Sequence, residues 1–237
     1  TFASLQLQTN GVVNWFVSQY STSTPVVNSG ICYLNTWYHV AVTRNGNNHT
    51  MYINGVSVST RTVSYTNTIG NTFYVGCGWY ATNRDFEGYI SDVRLVKGTG
   101  TSVYSSAFTP PTAPLSLVSD TGYSTSLLTC NDGPNVYDAG GHSSESIHDL
   151  TDRTQTDQTG VQLFGNAVSS TDQTKYASSN MYIPGSVGDY IEIPFPTLKQ
   201  EDFTWEMWIY PTNVNGSYQA MVDPRQGNTG LPLVWIR

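Results

Sequence analysis

The segment CGWYATNRDFEG, Cys77 to Gly88, gathers Trp79, Tyr80, Asn83, Arg84 and Asp85 within seven positions. Two rings beside an amide, a guanidinium and a carboxylate suit a sugar. The rings take the apolar face of a pyranose and the polar groups take its hydroxyls. Glu206, Trp208 and Tyr210 form a second such grouping in DFTWEMWIYP. They are alternate residues, so a strand carries all three on one face. Both groups are candidate carbohydrate-binding sites. The competing expectation is that these rings cap the core or lie under a neighbouring loop or subunit.

Catalysis finds less support. Glycoside hydrolysis by retention needs two carboxylates about 5–5.5 Å apart, which on a strand means alternating acids facing one groove. The nearest match, EDFTWE, sets Glu201 and Glu206 five positions apart and so on opposite faces. One carboxylate beside Trp208 is not a pair. No G-x-S-x-G nucleophile elbow occurs. His39 falls in an alternating strand, where packing is its ordinary role. HSSESIHD carries His142, Glu145, His148 and Asp149, but at a spacing that fits no helical or finger metal site. The chain is therefore expected not to be an enzyme.

The elements that must position these residues are strands. Helical periodicity is nearly absent, and alternation punctuated by Gly, Asn and Pro dominates. In NTWYHVAVTR, Tyr38, Val40 and Val42 share one face, and Trp37, His39, Ala41 and Thr43 the other. Asn54-Gly55 supplies the positive-φ pair of a type I′ hairpin. In GYISDVRLV, strict alternation puts Tyr89, Ser91, Val93 and Leu95 on one face and Ile90, Asp92, Arg94 and Val96 on the other. TPPTAPL is an extended connector, because its prolines lack ladder donors. Ala139 to Gly160 reads as a polar surface loop with one helical turn near Ser146 to Leu150. Strands resume at VQLFG, AVSS, DYIEIPF and DFTWEMWIYP, the last with Phe203, Trp205, Met207 and Ile209 toward a core. Many short strands with Gly/Asn/Pro turns predict an all-β fold, an antiparallel β-sandwich or jelly roll.

Composition agrees with a surface-exposed β-protein. Only 11% of the 237 residues are charged, against about 25% in an average soluble domain, and Ser, Thr, Asn, Gln, Gly and Tyr fill the gap. The net charge is −7, and neither half is basic, which argues against a nucleic-acid partner. No apolar run is long enough to insert into a membrane. Cys32, Cys77 and Cys130 form no CxxC and read as small buried thiols.

NTWYHVAVTRNGNNHTMYINGVSV resembles the central hairpin of laminin-G-like, concanavalin A-like lectin-glucanase domains, and FEGYISDVRLVKG resembles their closing strand. FGNAVSS, GDYIEIP and DFTWEMWIYP look like their opening strands. FTPPTAPL resembles the exit that follows the closing strand in such domains on tailed-phage virion proteins. The order is reversed here: the opening block follows the closing one. Residues 1–118 thus read as the C-terminal half of one sandwich and residues 119–237 as the N-terminal half of a following one in a tandem array. The alternative is a single circularly permuted sandwich.

The resemblance also implies that calcium could be held by loop-end oxygens. Asp132, Asp138, Asp149, Asp152 and Asp157 are the candidates, and no cofactor is otherwise expected. It implies a structural and adhesive module on a virion or other extracellular surface, working beside neighbouring copies or domains of its assembly and touching cell-surface glycans. The alternative is a secreted carbohydrate-binding module attached to a glycan-active enzyme.

Overall fold

Runs of alternating apolar and polar residues, broken every few positions by Gly, Asn or Pro, leave the backbone little choice but extended strands joined by tight turns. In the computed structural model, residues 2–18, 26–64, 72–78, 85–98, 103–120, 122–131, 162–176, 178–194, 201–214 and 218–223 are described. These residues form strands and no helix. The strands are β1 (Phe2–Gln8), β2 (Val12–Ser18), β3 (Val27–Ile31), β4 (Tyr38–Asn45), β5 (Asn48–Ile53), β6 (Val56–Thr62), β7 (Thr72–Val75) and β8 (Glu87–Gly98). They continue with β9 (Ser119–Asp120), β10 (Tyr123–Thr129), β11 (Gln162–Phe164), β12 (Val168–Ser170), β13 (Asn180–Pro184), β14 (Tyr190–Pro194), β15 (Asp202–Pro211) and β16 (Tyr218–Asp223).

Two antiparallel sheets pack face to face. One runs β11-β14-β7-β16-β1-β2-β3. The other runs β12-β13-β8-β15-β4-β5-β6, with β10 joined to β8 and β9 to β10. Strands from before and after residues 132–161 interleave in both sheets. β15 lies between β8 and β4, and β16 lies between β7 and β1. The fold is the all-β sandwich expected from the alternation. Its core takes Leu5, Val13 and Trp15 from the first sheet and Val40, Val42, Phe203, Trp205, Met207 and Ile209 from the second. Trp15 meets Phe203 edge to face across the layers at 5.8 Å. Cys32, Cys77 and Cys130 are buried and joined by no disulfide.

The β5–β6 hairpin turns on Asn54 (φ 49°) and Gly55 (φ 78°), the pair of left-handed residues that a type I′ turn requires. The Asn54 Oδ1 accepts the His39 N–H at 2.9 Å, tying the turn to β4. No strand forms over TPPTAPL.

One strand departs from strict alternation. In β8, Ile90, Val93 and Leu95 enter the core, whereas Tyr89 and Arg94 belong to the outer face. A bulge is the reason. The pairing slips between Glu206–Arg94 and Trp208–Ser91, and Asp92, with φ 55°, is the inserted residue. Its backbone N–H donates to the Cys130 carbonyl at 2.8 Å. Its carboxylate accepts the Ser91 hydroxyl at 2.7 Å and the Leu115 N–H at 2.8 Å. The face assignment made from period two alone fails beyond Tyr89 and Ile90 for this reason.

Candidate functional site

The outer face of the second sheet carries two adjoining regions. One is sealed under residues 103–118, which cross the sheet as a strap. Glu206 lies beneath it with no solvent exposure. Arg94 donates to Glu206 Oε1 from Nε at 2.8 Å and again from Nη2. Oε2 accepts His39 Nε2 at 3.1 Å and the Tyr104 hydroxyl at 2.8 Å. Burial alone would raise the pKa of Glu206. The His39 hydrogen bond and the Arg94 charge outweigh it and hold the group below the ordinary carboxylate value. Burial, reinforced by the Glu206 charge, pushes the Tyr104 hydroxyl well up, so it stays a donor.

The strap is fixed along its length. The Val103 N–H donates to Thr204 Oγ1 at 3.1 Å and the Phe108 N–H to the Gly55 carbonyl at 2.9 Å. The Arg94 Nη1 donates to the Ser116 carbonyl at 2.7 Å. Tyr104 and Phe108 stack face to face, with centroids 3.5 Å apart, and both stand edge-on to the His39 ring. Thus Glu206 is a structural hub: each oxygen already takes two donors, and rings close the approach.

The second region lies beyond the strap. Register places four aromatic residues side by side across four chain segments. Tyr182 of β13 pairs with Tyr89 of β8. Tyr89 pairs with Tyr210 of β15. Trp37, just before β4, meets Tyr210. Successive centroids are 4.8, 5.9 and 5.4 Å apart. Tyr182, Tyr210 and Trp37 are half-buried, and Tyr89 between them is nearly covered. Strands lie about 4.8 Å apart, so the strip is on the order of 15 Å long, the length of a short oligosaccharide. The tilted and edge-on contacts lock each ring against the next.

The sequence candidates are therefore dispersed. Glu206, Trp208 and Tyr210 do share the outer face of β15. Only Tyr210 joins the exposed strip, because Trp208 keeps just 4% of its surface and packs against His39 at 5.1 Å. Asp85 lies elsewhere, bridged to Ala220 of β16 in the other sheet. It is 4% exposed, and only weak backbone contacts, from its own N–H and that of Gly188, reach its oxygens. Burial, with the nearby Asp189 charge, raises its pKa to about 6. Trp79, Tyr80, Asn83 and Arg84 lie outside the described residues, as do Asp132, Asp138, Asp149, Asp152, Asp157 and the two histidines of HSSESIHD. Among the described residues no group of three or more His, Cys, Asp or Glu could hold a metal ion. Trp37, Tyr89 and Tyr182 were not singled out from the sequence. Each stands in a different segment, and only the strand register unites them.

Residues 2–102 match the family model of the concanavalin A-like lectin/glucanases superfamily. The matched stretch holds β1 to β8, including the strand β4 that carries His39 and the β5–β6 turn that carries Gly55. It covers less than half of the chain. The later strands enter the same sheets by direct pairing with the matched ones, so the described architecture is a concanavalin A-like β-sandwich. No curated protein matches the chain significantly.

Proposed function

We propose that this protein is a non-catalytic, carbohydrate-binding adhesive module of an extracellular or virion-surface appendage. The observation that carries the proposal is the Tyr182–Tyr89–Tyr210–Trp37 strip. It is an aromatic row at the surface of a sandwich whose matched family includes lectins. Aromatic side chains offer sugars large contact area at small conformational cost, and three phenol hydroxyls along the row offer hydrogen bonds to ring hydroxyls.

Binding without catalysis fits the state of the acids on this face. Glu206 has its lone pairs directed at Arg94, His39 and Tyr104, which leaves it nothing with which to protonate a glycosidic oxygen or attack an anomeric carbon. The sparse charge and the hydrogen-bonding composition suit a surface that touches glycans and neighbouring copies. Single sites of this kind bind weakly, and repetition along a longer polypeptide or assembly makes them useful through effective concentration.

The test is binding of the immobilised, densely displayed protein to a broad glycan array, with Trp37→Ala as the comparison. Trp37 precedes β4 and lies outside the core cluster, so the variant folds. Wild type retains a subset of glycans, and Trp37→Ala weakens them about tenfold, or ~1.4 kcal/mol. Absence of wild-type binding across the array would refute the carbohydrate reading and leave a purely structural module.

A further inference from the structure

Beside the aromatic strip stands a cation that makes no ion pair among the described residues. Lys175 lies between β12 and β13, with its ammonium 4.3 Å from the centroid of the Trp208 ring and 5.0 Å from that of Tyr176. Tyr176 in turn meets Trp208 edge-on at 5.5 Å. The ammonium therefore rests on an aromatic floor, a contact favoured by the ring quadrupole. Among the described residues the ion pairs are His39–Glu206, Arg94–Glu206 and Lys97–Glu201, and none includes Lys175. Partial burial lowers its pKa, the mark of an ammonium that has lost water without gaining an anion.

Its place relative to the strip follows from the register. Trp208 and Tyr210 are alternate residues on the outer face of β15, opposite Ser91 and Tyr89 of β8. Lys175 over Trp208 is thus one residue pair along from the Tyr89–Tyr210 step. The same loop approaches Tyr89 from its other end. Burial first, and then the charge of Asp172, raise the pKa of that phenol. Asp172 is exposed and is the acidic group this loop brings near the strip.

We infer that the strip takes a glycan bearing a sugar carboxylate, whose acid group sits on Lys175 while its neighbouring rings lie along Tyr89, Tyr210 and Trp37. The inference rests on the carbohydrate-binding reading above and names its ligand class. A partly desolvated ammonium gains a charge-assisted hydrogen bond from a carboxylate that a neutral sugar cannot supply. The net charge of −7 repels a densely sulfated polyanion. The ligand is therefore an otherwise neutral oligosaccharide with an isolated uronic or sialic acid.

Titration calorimetry on the intact protein tests this with matched ligands: sialyllactose against lactose, and a xylotriose bearing a single glucuronic acid against its methyl ester. At least one acidic member is expected to bind about tenfold tighter than its neutral partner, and which pair shows the effect tells sialic from uronic acid. Lys175→Met erases that preference, and Lys175→Arg restores it. Equal wild-type affinity within both pairs overturns the inference while leaving the carbohydrate reading intact. A Lys175→Met protein that melts earlier yet keeps the preference also overturns it, since Lys175 is then only a packing residue. Failure of wild type to bind any of the four ligands, with no glycan retained on the array, removes both readings together.

Discussion

Asp85 has two buried carboxylate oxygens that only weak backbone contacts, its own N–H and that of Gly188, reach, and it lies beside the carboxylate of Asp189. Asp189 differs, because it accepts the Asn166 N–H at 2.7 Å and the Ser186 N–H at 3.0 Å and so anchors two turns. Burial raises the Asp85 pKa from 3.8 to about 6. The folded state then binds a proton that the unfolded state releases between about pH 4 and 6. Stability therefore falls as pH rises through that window and stays lower above it. Asp92, also raised to about 6 chiefly by burial, acts in the same direction. Asp85→Asn holds the side chain neutral at every pH. It is expected to stabilise the protein by about 1–2 kcal/mol at pH 7.5 and to give no gain near pH 4. Urea unfolding at the two pH values measures this, and an equal effect at both would show that Asp85 carries no such penalty. Nothing in the sequence marks Asp85 as different from Asp189. Both follow a stretch bearing Gly or Asn in the sequence, and only the packing tells them apart.

At the scale of elements, the strap decides which parts of the second sheet reach solvent, and its anchor is a glycine. A Cβ on Gly55 would come within 1.8 Å of the Phe108 carbonyl oxygen, and its φ of 78° disfavours any L side chain. The Gly55 carbonyl also accepts the Phe108 N–H. Gly55→Ala is expected to cost about 2–3 kcal/mol, more than the ~1 kcal/mol of a strained left-handed alanine alone, because the strap must lift from His39 and Tyr52. Denaturant unfolding checks the magnitude. A loss of 1 kcal/mol or less would mean that the strap accommodates the methyl without moving. The turn itself was legible, since Asn54-Gly55 between β-rich runs has one good solution. The core face of β15 was legible too, because Phe203, Trp205, Met207 and Ile209 alternate without interruption. The second half of β8 was not. Its phase is reset at Asp92 by partners at Leu115 and Cys130, both more than twenty residues away. The aromatic strip was hidden for a related reason. Tyr182, Tyr89, Tyr210 and Trp37 become neighbours only through registers linking separate segments, and alternation within one strand carries no information about register between strands.

For the whole molecule, the decisive feature is where the late strands go. β15 and β16 do not extend an edge; they fill central positions, each between two strands that precede residue 100. Removing them would leave β4, β8, β1 and β7 with unpaired ladders and expose the Val40, Val42, Leu5 and Val75 side of the core, an arrangement with no stable form of its own. The strands before residue 131 and those after residue 162 should therefore lose structure together. The three buried thiols, Cys32, Cys77 and Cys130, all belong to the earlier part, while the resolved fluorine resonances of Trp205 and Trp208 in protein labelled with 5-fluorotryptophan report on the later one. In urea, thiol reactivity, these two resonances and far-UV circular dichroism are expected to follow one transition with one midpoint. Separate midpoints for thiol exposure and for the two resonances would mean that the two parts fold as independent units, and the central insertion of β15 and β16 would then contribute little to holding them together.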